Sequence, residues 1–127
     1  MANPIPKKMK TGTVGELLVQ LRLLQYDVQA APPLKDSGND LIALRGFVVC
    51  TIQVKTSTGV RPQWRRLPRR YHLLAVVRLQ GEDRNLLLDN SQIFLVKKRD
   101  VPGLAHTWDA LGPFALSQPQ VDTLFAG

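Results

Sequence analysis

The chain has 127 residues, enough for one domain and too few for two. Apolar residues at 44% and charged residues at 21% allow a packed core, while nine Gly and nine Pro exclude collagen-like and low-complexity chains. Seventeen Lys and Arg against ten Asp and Glu leave a net charge of +7, which favours polyanionic partners, and no apolar run approaches the ~18 residues of a membrane span.

The expected domain covers residues 1–127, with residues 1–11 as a flexible basic arm that carries Pro4, Pro6, Lys7, Lys8 and Lys10. From Thr13 the apolar residues Val14, Leu17, Leu18, Leu21 and Leu24 recur at three- and four-residue spacing and predict an amphipathic helix. Tyr26–Ala31 reads as a short strand stopped by Pro32-Pro33. Lys35-Asp36-Ser37-Gly38-Asn39 is a turn. Asp40–Leu44 then reads as a strand buried on both faces, Arg45-Gly46 as a tight turn, and Phe47–Thr56 as the second arm of a hairpin. Along that arm Cys50, Ile52 and Val54 share one face, and Thr51, Gln53 and Lys55 the other.

Thr58–Arg70 holds Gly59, Pro62, Trp64, Pro68 and five arginines, and reads as an exposed loop or a ragged edge hairpin. Tyr71–Leu79 is a further strand, Gly81-Glu82-Asp83 a turn, and Leu86–Leu88 and Ile93–Lys97 are short strands. Residues 100–116 show no period. Ser117 to Gln120 fits a capping box that opens a terminal helix. The order is a helix, a cluster of strands and a small helix. The single cysteine, Cys50, cannot form an internal disulfide, and no leader-like segment opens the chain, so a cytoplasmic setting is expected.

Four polar residues stand where a core pattern would be apolar: Glu16, Asp40, Gln53 and Lys55. Each has a plain structural explanation. Thr13-Val14-Gly15-Glu16 fits a capping box, Asp40 follows a turn, Gln53 could face solvent, and a lysine at a strand end is ordinary.

Their order is more specific than any one of them. Gly15-Glu16-Leu17-Leu18, then Ser37-Gly38-Asn39-Asp40-Leu41-Ile42, then Ile52-Gln53-Val54-Lys55-Thr56-Ser57 resembles the PD-(D/E)XK nuclease superfamily over about Gly12 to Ser57. That superfamily includes archaeal Holliday junction resolvases and many restriction endonucleases. Its second acidic position is usually Glu or Asp. Gln53 in that place is similar to the small homing endonucleases of cyanobacterial introns. The resemblance implies an α/β restriction-endonuclease-like core, a mixed, mostly antiparallel sheet flanked by helices, and hydrolysis of DNA phosphodiester bonds with Mg²⁺, or Mn²⁺ as substitute. It implies Glu16, Asp40, Gln53 and the Val54 carbonyl as metal ligands, and Lys55 as the group that meets the attacking water and the scissile phosphate. Cleaving both strands of a duplex with one site per chain further implies a homodimer or homotetramer.

The nucleic-acid surface expected beside this site comprises Lys7, Lys8, Lys10, Arg61, Arg65, Arg66, Arg69 and Arg70, with Trp64 stacking on a base or packing under the loop as an anchor. Lys97, Lys98 and Arg99 form a third basic cluster. His72 and His106 lack partners at zinc-ligand spacing. Trp108 and Phe114 are expected to plug the C-terminal part of the core. Two other readings are a catalytically weak or inactive DNA-binding or assembly module on the same fold, for which Gln53 speaks, and an RNA-associated basic protein, which rests on charge alone.

Overall fold

A computed structural model describes residues 5–35 and 38–126; Pro4, Asp36 and Ser37, which fall in the expected arm and turn, lie outside the described residues. The first helix, α1, runs Lys7–Leu24. It begins six residues before the start expected at Thr13, so Lys7, Lys8 and Lys10 lie on a helix and not in a loose arm. Lys and Met are good helix formers, and the extension is tied down where Lys10 Nζ meets Asp83 Oδ1 at 3.2 Å. The phase of the helix also differs from the expected stripe. Gly15, Leu18, Val19 and Leu23 face the core, while Leu17, Leu21 and Leu24 are exposed.

Seven strands follow: β1 (Gln29–Ala31), β2 (Leu41–Arg45), β3 (Val48–Ser57), β4 (Leu73–Arg78), β5 (Gly81–Glu82), β6 (Asn85–Leu86) and β7 (Gln92–Lys97). Five of them form one sheet in the order β1-β2-β3-β4-β7, antiparallel except for the parallel β3–β4 pair. The mixed, mostly antiparallel α/β sheet that the resemblance implies is therefore present. Gly46 takes the positive φ, 61°, that a two-residue hairpin turn requires between Arg45 and Val48. β5 and β6 make a separate small hairpin, and Leu88 lies in a 3-10 turn, Leu88–Asn90, instead of a strand.

One face of the sheet packs on α1 and on the terminal helix, with Leu18, Val19, Leu23, Cys50, Ile52, Ala75, Leu95, Val121 and Phe125 in a single apolar cluster. The opposite face is covered only over β4 and β7, by a second cluster of Trp64, Tyr71, Leu74, Val76, Phe94, Val96, Val101 and Leu111. Trp108 and Phe114 pack partly buried against it. Because that cover stops short of β2, the strand alternates instead of being buried on both faces: Leu41 and Ala43 are inside, Ile42 and Leu44 are open.

The unpatterned stretch after β7 contains a one-turn helix, α2 (Trp108–Leu111), capped by the Thr107 hydroxyl, which accepts from Ala110 N–H. In α3 (Gln118–Leu124) the Ser117 hydroxyl accepts from Gln120 N–H at 3.2 Å, as the motif predicts. The Gln120 amide does not complete the box. Its Nε2 donates to the Leu95 and Phe114 carbonyls, so the residue ties helix to sheet. Among the described residues no helix is long and apolar enough to cross a membrane.

Candidate active site

The hairpin partner of β3 ends at the Leu41–Ile52 pair, whereas the parallel partner β4 accompanies β3 from Ile52 to Ser57. Residues 53–57 therefore have one edge without a strand neighbour, which would leave backbone donors and acceptors bare. Asp40 occupies that edge. Its N–H donates to the Ile52 carbonyl at 3.1 Å, and its Oδ2 accepts the Val54 N–H at 2.8 Å. The N–H and C=O of one strand residue point the same way, so the Val54 carbonyl opens on the side where Asp40 stands.

Gln53 is 9% exposed, and its Oε1 is buried with no hydrogen-bond partner among the described residues. A buried acceptor left bare costs on the order of 1–3 kcal/mol, so this oxygen is open to a water or a ligand. Lys55, two residues on, is half-buried and lines the same cleft.

Glu16 arrives from the other side, on the middle of α1, where it caps nothing. Its carboxyl is pushed up to about 7, first by burial, then by the charge of the neighbouring Asp40 carboxyl and a hydrogen bond shared with it. The capping-box explanation of Glu16 fails because the helix starts nine residues earlier, at Lys7. Glu16, Asp40, Gln53, Val54 and Lys55 line one cleft of about 640 Å³, open to solvent, large enough for a phosphate and a hydrated cation. No third acid, histidine or cysteine joins the two carboxylates among the described residues.

Two further residues bear on the cleft. Thr56, which lines it, has a buried hydroxyl with no hydrogen-bond partner among the described residues, and Gly15 lies against it, so the glycine lets α1 approach β3 closely enough to bring in Glu16. A glycine in mid-helix was the only hint, since it costs helix stability unless a close contact needs it.

Around the cleft, Lys7 and Lys8 lie on its rim, while Lys10 is engaged with Asp83. Arg61, Arg65, Arg66, Arg69 and Arg70 are all exposed on the loop 58–72. Trp64 is not available for a base: it is 5% exposed and stacks on His106 with ring centroids 3.8 Å apart. The anchor reading of this residue replaces the stacking one, because a large ring gains more by closing the second core than by facing water.

No family model matches this chain, and no curated protein matches it in sequence. The fold is similar to that of a solved bacterial homing endonuclease, I-Ssp6803I, with a TM-score of 0.51 and 15% identity over 72% of this chain. This chain spans 65% of the length of that protein. The likeness is one of fold, and it is to a nuclease.

Proposed function

We propose that the chain is a divalent-metal-dependent endonuclease acting on DNA, of the PD-(D/E)XK kind. The observation that carries the reading is the edge of β3, where the Asp40 carboxylate, the orphaned Gln53 Oε1 and the Val54 carbonyl meet Glu16 of α1 with Lys55 beside them. Beside the Lys55 ammonium, the described residues offer oxygen donors, two of them carboxyl groups that are both charged once Glu16 is ionised, which fits Mg²⁺ or Mn²⁺ with retained waters and does not fit zinc. Asp40, Gln53 and Val54 would hold the ion, with Glu16 as the second carboxylate, direct or through water. When bound it supplies charge neutralisation at the phosphate and a more acidic water.

The protein groups do the positioning. The Val54 N–H fixes one Asp40 oxygen and leaves the other for the cation. Lys55 brings an ammonium to the attacking water and to the oxygens of the scissile phosphate, where charge grows in the transition state. Lys7 and Lys8 and the exposed arginines attract the duplex. Cutting both strands of that duplex requires two copies of this single site, hence a homodimer or homotetramer. A second reading, a DNA-binding module that no longer cuts, is favoured by one feature: Gln53 supplies a neutral amide where a third charge would hold the metal more tightly.

Nicking of supercoiled plasmid with Mg²⁺ or Mn²⁺ against EDTA separates the two. Nicking in Mg²⁺ that disappears in EDTA and in Asp40→Ala and Lys55→Ala is the expected result. Duplex retention without any nicking establishes the second reading.

A further inference from the structure

The loop between β3 and β4 joins two parallel strands, so it must travel back along their length, from the C-terminal end of β3 to the N-terminal end of β4. Over this span it is held at successive points. Gln63 N–H donates to the Ser57 hydroxyl at 3.0 Å, and Trp108 Nε1 donates to the Gly59 carbonyl at 3.4 Å. Trp64 is stacked on His106. Near the end of the loop, Lys98 Nζ donates to the Arg69 carbonyl and lies 5.4 Å from the Tyr71 ring.

The two ends of the loop bracket the candidate site. Arg61 shares a surface cleft with Thr56 and Thr58, at the far end of β3. Pro68 lies 4.0 Å from the place a side chain on Gly38 would take, two residues from Asp40. Beyond it, Lys97 pairs with Leu73 and Lys98 N–H donates to the His72 carbonyl at 3.1 Å. Lys98 and Arg99 therefore emerge where Arg69 and Arg70 end. Among the described residues none of these guanidinium groups is ion-paired to a carboxylate.

We propose that the arginine loop and the turn after β7 form one fixed phosphate track, with Lys98 as the tie between the segments and Arg99 at its far end, along which a DNA duplex crosses the site. The choice of DNA as the polyanion rests on the nuclease reading; the track itself rests on the packing. Six strand residues at about 3.3 Å each give it roughly 17–20 Å, or about five base pairs of duplex. A loop whose backbone is already held by two aromatic anchors loses little backbone freedom on binding. That distinguishes it from a floppy charged loop, whose backbone would have to be ordered along with its arginines.

The test uses the full chain in EDTA, a labelled 30-base-pair duplex of arbitrary sequence, and anisotropy titrations across a KCl series, with each variant first shown by circular dichroism to melt like wild type. Arg99→Gln is expected to weaken binding about fivefold at moderate salt and to reduce the slope of log K against log salt by about 0.9, and the pair Arg69→Gln/Arg70→Gln by about twice that. Arg45→Gln, on the other face and paired with Asp122 at 2.9 Å, should leave the slope unchanged. If Arg99→Gln behaves like Arg45→Gln, or the double variant does, the track is overturned. Plasmid nicking by wild type in Mg²⁺ is read separately. Nicking with an unmoved Arg99→Gln slope sinks the track alone, and reduced slopes without nicking sink the nuclease reading alone.

Discussion

Gly15 of α1 lies directly against Thr56 of β3: a methyl group placed on Gly15 would overlap the threonine hydroxyl. The contact sets how near the helix comes to the sheet, and the next residue along the helix is Glu16. Gly15→Ala gains up to about 1 kcal/mol in helix propensity but overpacks the interface by about 1–3 kcal/mol. The expected net loss is about 1–2 kcal/mol, or several degrees in Tm. Thr56→Ala should relieve most of it, so a double-mutant cycle by thermal denaturation should show a favourable coupling of about 1 kcal/mol. Additive losses would mean the two residues do not meet.

Asp40 has one structural task and, on the proposed reading, one chemical task. Asp40→Ala removes the acceptor of the Val54 N–H at the unpaired edge of β3, at a cost of about 1–2 kcal/mol, and with it the chief cation ligand of the proposed site. Asp40→Asn retains the acceptor and discards the charge. It should melt close to wild type, fail to nick plasmid, and let the Glu16 carboxyl drop toward its ordinary range, a shift visible in carboxyl NMR titration.

Glu16 makes the metal-free protein sensitive to pH in a defined window. Its carboxyl titrates near 4.5 when unperturbed and about 7 in the fold. Between these values the folded chain keeps a proton that the unfolded chain has released, so the contribution of Glu16 to stability is fully present below about 4.5 and is lost as pH rises through 7. Partial solvent access reduces the effect to the order of 1 kcal/mol. Glu16→Gln should flatten this slope and raise the Tm of the metal-free protein at pH 8 by a few degrees. A cation requires the ionised form, so calorimetric Mn²⁺ affinity of wild type should increase with pH up to about 7 and release protons below it.

The strand half of the candidate site is legible from periodicity, and the helix half only from the order of the motifs. Gln53 and Lys55 are two apart on a β-branched run, and a period of two puts them on one side whatever the rest of the chain does. Glu16 by itself fits a capping box, and only its order relative to Asp40 and Gln53 pointed elsewhere. The phase of α1 was misread for a related reason. Leu17, Leu21 and Leu24 form a good apolar stripe, but the contact of Gly15 with Thr56 turns the helix so that Leu18, Val19 and Leu23 face inward. Nor can periodicity tell which half of a sheet face is covered, so Ile42 and Leu44 looked buried.

Trp64 is an anchor of the arginine loop, so its loss should read out as stability first. Trp64→Ala opens a large cavity in the second core, with an expected cost of about 3–5 kcal/mol; Trp64→Phe should cost much less. DNA affinity of Trp64→Phe should match wild type in the same anisotropy titration. A loss of affinity without a loss of Tm would restore the base-stacking role.

The last test concerns the missing charge. Gln53→Glu places a third carboxylate beside Asp40 and Glu16, in a pocket where the present Oε1 has no partner among the described residues. Without metal, like charges at close range should raise carboxyl pKa values further and lower the Tm at pH 8. With metal, the added charge should tighten Mn²⁺ binding about tenfold or more, shift half-maximal nicking to lower Mg²⁺, and reverse the sign of the stability difference. That crossing of the two melting curves on metal addition is the decisive readout, because a substitution that merely disturbed packing would lower Tm in both conditions. A variant that melts below wild type with and without Mn²⁺ would show that position 53 does not face the ion.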